Sequence, residues 1–133
     1  MPARESVVQI RVRYPEVDSM GVAHHSHHFV WFEIGRTEWM RERGLPYARV
    51  EREGTFLPVI EAECAYRAPV RYDELVSVRT RLSEAGAARV TFTYRVEREG
   101  DGALLATGST THAAVDGAGR PRRLPAALRE LLD

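Results

Sequence analysis

The residues able to do chemistry in this chain are concentrated between Tyr14 and Glu38. Asp18 precedes a cluster of four histidines, His24, His25, His27 and His28. The apolar pattern from about His27 has a helical period, so the histidines surround a helix start. A helix N-terminus offers unpaired backbone N–H groups and a partial positive charge. Such donors stabilise a carbonyl oxygen as it gains negative charge. A nearby carboxylate can attack the carbonyl or act as general base. A loop carboxylate with helix-start donors is thus a workable acyl-transfer site. An Asp in front of a helix is more commonly a cap or turn residue, and spacing alone leaves both readings open.

The histidines also invite a metal reading. His24 and His28 are four apart, while His24/His27 and His25/His28 are three apart, so pairs share a helix face, with Asp18 as a third ligand. Against it, part of the segment is loop, no second Cys/His cluster exists, and His112 is remote. We expect no metal and no cofactor, with the histidines lining the site. Glu33 and Glu38 read as ion-pair partners of Arg36 and Arg41 rather than catalytic acids. Cys64, beside Ala62 and Ala65, reads as a small buried residue and not a nucleophile. Arg67, Arg71, Arg89, Arg120, Arg122 and Arg123 could each meet phosphates, and Arg89, in a turn between strands, is the foremost of them.

These residues need positioning elements. Val8, Ile10 and Val12 alternate with polar neighbours, which predicts a strand over Val7 to Val12. Glu16 to Ala23 reads as a loop. A helix is expected from His27 to Arg43, with Ser26 as N-cap and Gly44 and Pro46 as its stop. Phe29, Phe32, Gly35 and Trp39 share one face. Phe29, Val30, Trp31, Phe32 and Ile34 make its first half apolar nearly all round, as in a helix buried on several sides. A mid-helix Gly35 costs about 1 kcal/mol against Ala, so a close approach to a sheet is expected there. Four strands follow, about Thr55 to Tyr66, Leu75 to Glu84, Ala88 to Glu97 and Leu104 to Val115. Short turns make the last ones hairpin partners. A short amphipathic helix from about Pro125 to Leu132 closes the chain. The order predicts an α+β domain, one five-stranded antiparallel sheet wrapped around a long helix.

The segment Tyr14–Glu38 resembles the signature of hotdog-fold acyl-CoA thioesterases, most nearly the 4-hydroxybenzoyl-CoA thioesterase-like family. Asp18, Gly21, His25, Trp31-Phe32-Glu33 and Arg36-Thr37-Glu38 match its pattern position for position. The strand order extends the resemblance over nearly the whole chain. It implies a hotdog fold, Asp18 as the catalytic carboxylate, and an amide near His25 that polarises the thioester carbonyl, with the His25 side chain as helper. Gly21, Val22, His24, His27 and His28 would line the substrate site, and Arg89 would bind coenzyme A. The family commonly has Tyr, Asn and Tyr where this chain has His24, His27 and His28. Those departures keep two alternatives open, a non-catalytic acyl-CoA or acyl-carrier binding module and a hotdog enoyl-CoA hydratase.

Length and composition narrow the classes further. A chain of 133 residues is one domain, spanning 1–133. With 19 basic and 19 acidic residues the net charge is zero, which argues against a nucleic-acid binder. Apolar runs such as 29–32 are far too short to span a bilayer. Residues 1–6 have no apolar leader core and Cys64 is the only cysteine, so a cytoplasmic location is expected. All basic residues are arginine, there is no asparagine, and Gln9 is the one glutamine. A hot-living source and a GC-rich genome each account for that. A chain this small buries only about two-thirds of its unfolded surface, and an open strand edge adds unpaired backbone groups. We therefore expect a homodimer or homotetramer, and the resemblance implies that coenzyme A lies across the interface between two chains.

Overall fold

The computed structural model describes residues 5–132. The residues before Glu5, part of the stretch inspected for a leader, lie outside the described residues, as does Asp133. The elements are β1 (Glu5–Arg11), a 3-10 turn (Tyr14–Glu16), α1 (His27–Glu42), α2 (Tyr47–Arg52), β2 (Val59–Tyr66), β3 (Leu75–Ala85), β4 (Arg89–Arg98), β5 (Leu104–Ala113) and α3 (Ala126–Arg129). The strands form one antiparallel sheet in the order β1-β3-β4-β5-β2. Hairpin turns join β3 to β4 and β4 to β5, as the short connections require. β1 and β2 are its edges.

Period-two patterning puts Val76, Val78, Thr80 and Leu82 of β3, and Val90, Phe92, Tyr94 and Val96 of β4, on one buried face. α1 lies across that face. Phe32 stacks on Tyr94 with ring centroids 4.3 Å apart, and Trp39 meets Phe92 edge-on at 5.6 Å. Each such aromatic contributes roughly 1.5–3 kcal/mol by burial alone. Two glycines permit the approach. A Cβ on Gly35 would strike Thr80 Oγ1 and sit 3.1 Å from Val78 Cγ1. A Cβ on Gly108 of β5 would lie 2.6 Å from Phe32 Cζ. The helix held in the curve of the sheet is the hotdog architecture.

Several sequence expectations need correction. α2 was not expected, and β2 begins at Val59 rather than Thr55. Phe56 and Val115 instead form an isolated bridge beyond the strand ends. The last helix is one turn, Ala126–Arg129. Ser26 occupies the cap position without capping, because its backbone is already helical and its hydroxyl pairs with His24 Nδ1 at 2.8 Å. The first half of α1 is not covered on all sides within one chain. Val30 and Ile34 are 46% and 37% exposed. No described helix is long and apolar enough to cross a membrane.

Candidate functional site

The loop that carries Asp18 is tied down by its neighbours. Glu16 is buried and holds both ends. Its Oε1 accepts from the Arg13 amide at 2.8 Å, and its Oε2 accepts from the Trp31 indole at 3.1 Å. Burial alone would push this carboxyl up, but those bonds and the Arg13 charge hold it below its usual range. The Glu16 carbonyl accepts from the His24 amide at 2.9 Å, and Val17 bridges Ala23. Between these ties the chain turns at Gly21, where φ is +78° and a side chain would be strained.

Asp18 sits at the mouth of this turn, exposed. Its Oδ1 accepts from the Met20 amide at 2.8 Å and the Val22 amide at 3.3 Å. Both of those bonds go to one oxygen, and Oδ2 has no hydrogen-bond partner among the described residues. The turn-residue reading and the reactive-carboxylate reading therefore coexist: one oxygen orients the group and the other faces out.

The first turn of α1 consumes most of its own donors. His27, His28 and Phe29 amides reach back to the carbonyls of His24, His25 and Ser26 at 3.0, 3.4 and 3.2 Å. The Ser26 amide meets His24 Nδ1 at 3.3 Å. The His25 amide donates to nothing among the described residues. Its carbonyl accepts from the Tyr66 hydroxyl at 2.9 Å, which pins the helix start to the end of β2. Burial pushes the Tyr66 phenol up to about 12, so it stays protonated and donating.

His28 completes this end. It is buried against Trp31, 4.7 Å between ring centroids, and edge-on to Tyr66 at 4.8 Å. Neither ring nitrogen makes a hydrogen bond of good geometry among the described residues, although the His25 backbone lies close enough to favour the protonated ring. Burial drives its pKa down to about 4, so the ring is neutral near pH 7. A buried unpaired donor costs about 1–3 kcal/mol, which a ligand or water would relieve. The ring borders an open pocket of about 270 Å³ lined also by Val22, Ala23, His25 and Tyr66.

The structure thus gathers Val22, His25 and His28 around one pocket, with His24 in ring contact with His25 at 4.2 Å and His27 beside His24 at 6.4 Å. Gly21 shapes the adjoining turn. No hydrogen bond or ion pair joins Asp18 to a histidine among the described residues. Arg89 is elsewhere. It opens β4 opposite Ala113, at the far end of β5 from Ala106, the partner of Tyr66. Seven residues of strand separate those ends, about 23 Å at 3.3 Å per residue. Within one chain Arg89 does not join the site.

A second cavity was missed by sequence reasoning. It measures about 300 Å³ and lies between α1, α2 and the Val59 end of β2, lined by Arg36, Met40, Tyr47, Leu57, Phe92 and His112 among others. His112, remote from the histidine cluster in sequence, lies in this cavity and not in the pocket at the helix start. Its Nδ1 meets the Leu57 carbonyl at 2.9 Å and its Nε2 meets Thr110 Oγ1 at 2.8 Å. Tyr66 was missed because His25, whose carbonyl it meets, is distant in sequence. Only its place at the end of a strand with a polar neighbourhood could have flagged it.

The helix cradled by a five-stranded antiparallel sheet is a hotdog domain. Comparison with known proteins agrees. The thioesterase-like superfamily profile matches residues 12–132, and the chain belongs to that superfamily. Bacillus subtilis YneP, provisionally named an acyl-CoA thioesterase, is 31% identical over 81% of this chain and 78% of its own. A crystal structure of a functionally unassigned Thermus thermophilus protein superposes with a TM-score of 0.88 at 47% identity, covering 96% of this chain and 95% of that one. A DHNA-CoA thioesterase from Staphylococcus aureus gives 0.86 at 32% identity, over 90% and 80% of the two chains.

Proposed function

We propose that this chain hydrolyses an acyl-CoA thioester to a free acid and coenzyme A. The observation that carries the reading is the unpaired His25 amide at the start of α1, next to the turn that presents Asp18. The amide takes the carbonyl oxygen and stabilises the charge that develops on it. Asp18 Oδ2 either attacks the carbonyl carbon or removes a proton from the water that does. The C–S bond breaks, coenzyme A leaves as thiol, and water supplies the new oxygen of the acid. The His25 side chain assists at the same carbonyl. Gly21, Val22, His24, His27 and His28 form the walls near the thioester, and the open nitrogens of His28 offer it a hydrogen bond. Arg89 meets the nucleotide phosphates only if a second chain brings it close.

We further propose a dimer joined through β2. This edge strand leaves Val59 and Ile60 exposed, and Val30 and Ile34 of α1 lie open as well. Antiparallel pairing of β2 with its copy would close the backbone edge and cover those side chains. Full-length pairing sets Val59 opposite the partner's Tyr66, so the Arg36–His112 cavity of one protomer faces the helix start of the other. Two equivalent shared sites result.

Thiol release from a panel of short, long and aromatic acyl-CoAs tests the activity. Steady release from at least one is expected. Saturable binding without release would leave a binding module, and loss of enoyl-CoA absorbance without thiol would mark a hydratase. Light scattering on the active sample tests the assembly: a mass near 15 kDa would contradict it.

A further inference from the structure

The cavity between α1, α2 and β2 has apolar walls and one cation. Met40, Leu57, Val59 and Phe92 form the walls. Arg36 supplies the charge from the middle of α1. Its side chain is only 18% exposed, and the nearest carboxylate oxygen, Glu33 Oε1, is 3.9 Å away on a side chain that is 70% exposed. That separation is too long for a hydrogen bond.

Glu33 also lines the cavity, from an exposed side chain at its rim, and Thr37 adds a hydroxyl. The deeper polar groups, His112 and Tyr47, are neutral and paired. His112 Nδ1 faces a carbonyl and must donate to it, so Nε2 accepts from the Thr110 hydroxyl. Thr110 in turn accepts from the Tyr94 hydroxyl. Tyr47 accepts the Leu57 amide at 2.9 Å. Burial pushes Tyr47 and Tyr94 up and His112 down to about 4, and the Arg36 charge bears on all three. None of them can carry a negative charge near pH 7. The Arg36 guanidinium, with five donors and the Tyr94 hydroxyl beside it, borders this space with no anion in hydrogen-bond reach among the described residues.

We propose that this cavity takes the acyl group of the thioester and that Arg36 selects acyl groups ending in a carboxylate. The inference rests on the hydrolase reading above and names its substrate class. A carboxylate matches the planar fork of guanidinium with two parallel hydrogen bonds, while the apolar walls take the methylenes or ring between the two ends. At about 30 Å³ per water-sized group, the volume holds roughly ten non-hydrogen atoms, enough for a six-carbon diacid. Along α1, Arg36 lies about 13 Å from His27 at 1.5 Å per residue. Across the β2 two-fold, the cavity opens on the partner's helix start.

The test compares hexanoyl-CoA with adipoyl-CoA, which have equal carbon number and differ in the terminal carboxylate. Thiol release gives kcat/KM for each, and thermal shift with the same two thioesters reads binding without turnover. Wild type should favour adipoyl-CoA by about 10-fold or more. Arg36→Met should bring that ratio to one or below, and Arg36→Lys, which keeps the charge without the fork, should keep part of it. A wild-type preference for hexanoyl-CoA, or an unchanged ratio in Arg36→Met, overturns the selection. Equal turnover of both with equal thermal shifts overturns it too and leaves the hydrolase reading standing. If neither is cleaved yet adipoyl-CoA alone stabilises the protein in an Arg36-dependent way, the selection stands and the hydrolase reading falls. Absence of both binding and cleavage overturns the selection, and release from any other thioester of the panel then keeps the hydrolase reading.

Discussion

His28 and His112 make an instructive pair. Both are buried, and burial drives both down to about 4. His112 has each ring nitrogen satisfied, by Leu57 and Thr110, and its tautomer is fixed by the carbonyl it faces. His28 has neither nitrogen satisfied. One histidine braces the wall of a cavity. The other keeps its hydrogen-bonding capacity open beside the unpaired His25 amide. Burial alone does not distinguish these two histidines, and their hydrogen bonding does, although Thr80 Oγ1 in the core is unsatisfied as well. The two ends of the molecule differ accordingly: a polar helix start with open valences, and a largely apolar cavity in which His112 is fully paired and Arg36 and the exposed Glu33 bring the charge.

The largest expected effect falls at the helix-start end. Asp18→Asn keeps the Oδ1 turn bonds but removes the reactive carboxylate, and kcat for thiol release should fall by at least about 10²-fold. Retained activity would take Asp18 out of the mechanism. His112→Phe should act on the other end and on stability. It orphans the Leu57 carbonyl and breaks the Thr110 bond, so denaturant melts should show a loss of about 1–3 kcal/mol. His28→Phe sharpens the contrast. With no bond to lose, it should leave the melt within about 0.5 kcal/mol of wild type or above it. Its effect should appear instead as a higher KM, and a loss of stability equal to that of His112→Phe would erase the distinction.

Acid should affect both histidines alike. Each has its folded pKa below its unfolded value, so the unfolded chain binds the extra protons. Their stabilising share is complete above about pH 6.5 and is lost progressively down to about pH 4. Melts between these limits should show stability falling with pH, and either phenylalanine variant should flatten the slope. A slope unchanged in both variants would contradict the buried neutral state.

Much of the fold was legible because its periods are clean. Val90, Phe92, Tyr94 and Val96 alternate without interruption, and Gly44 with Pro46 stops α1 within a residue of the expected end. α2 escaped notice because only Val50 of its six residues is buried, which leaves no helical stripe to detect. In the candidate site, the adjacency of Asp18, Gly21 and His25 was legible because turn, carboxylate and helix start follow one another in the chain. Tyr66 and the Arg36–His112 cavity were not. Tyr66 reaches His25 across 41 residues and His112 reaches Leu57 across 55, and strand register sets both contacts. Arg36 read as a helical ion pair with Glu33 and Arg41 as one with Glu38, and both pairs form; the Glu33 pair, at 3.9 Å to an exposed acid, is too long for a hydrogen bond.

The central claim is that the two ends meet across a two-fold to form one site, and complementation tests it most directly. Asp18→Asn disables the helix-start end of each chain it enters. Thr37→Trp fills the cavity from α1, where Thr37 is one of the lining residues. Each variant alone should release little thiol. In a mixed dimer, one site receives Asp18 from the Thr37→Trp chain and an open cavity from the Asp18→Asn chain. Co-refolded one to one, the two variants should recover about a quarter of wild-type thiol release, since half the dimers are mixed and each has one intact site. A mixed sample no more active than either variant alone, with mixed dimers present by mass, would contradict the shared site.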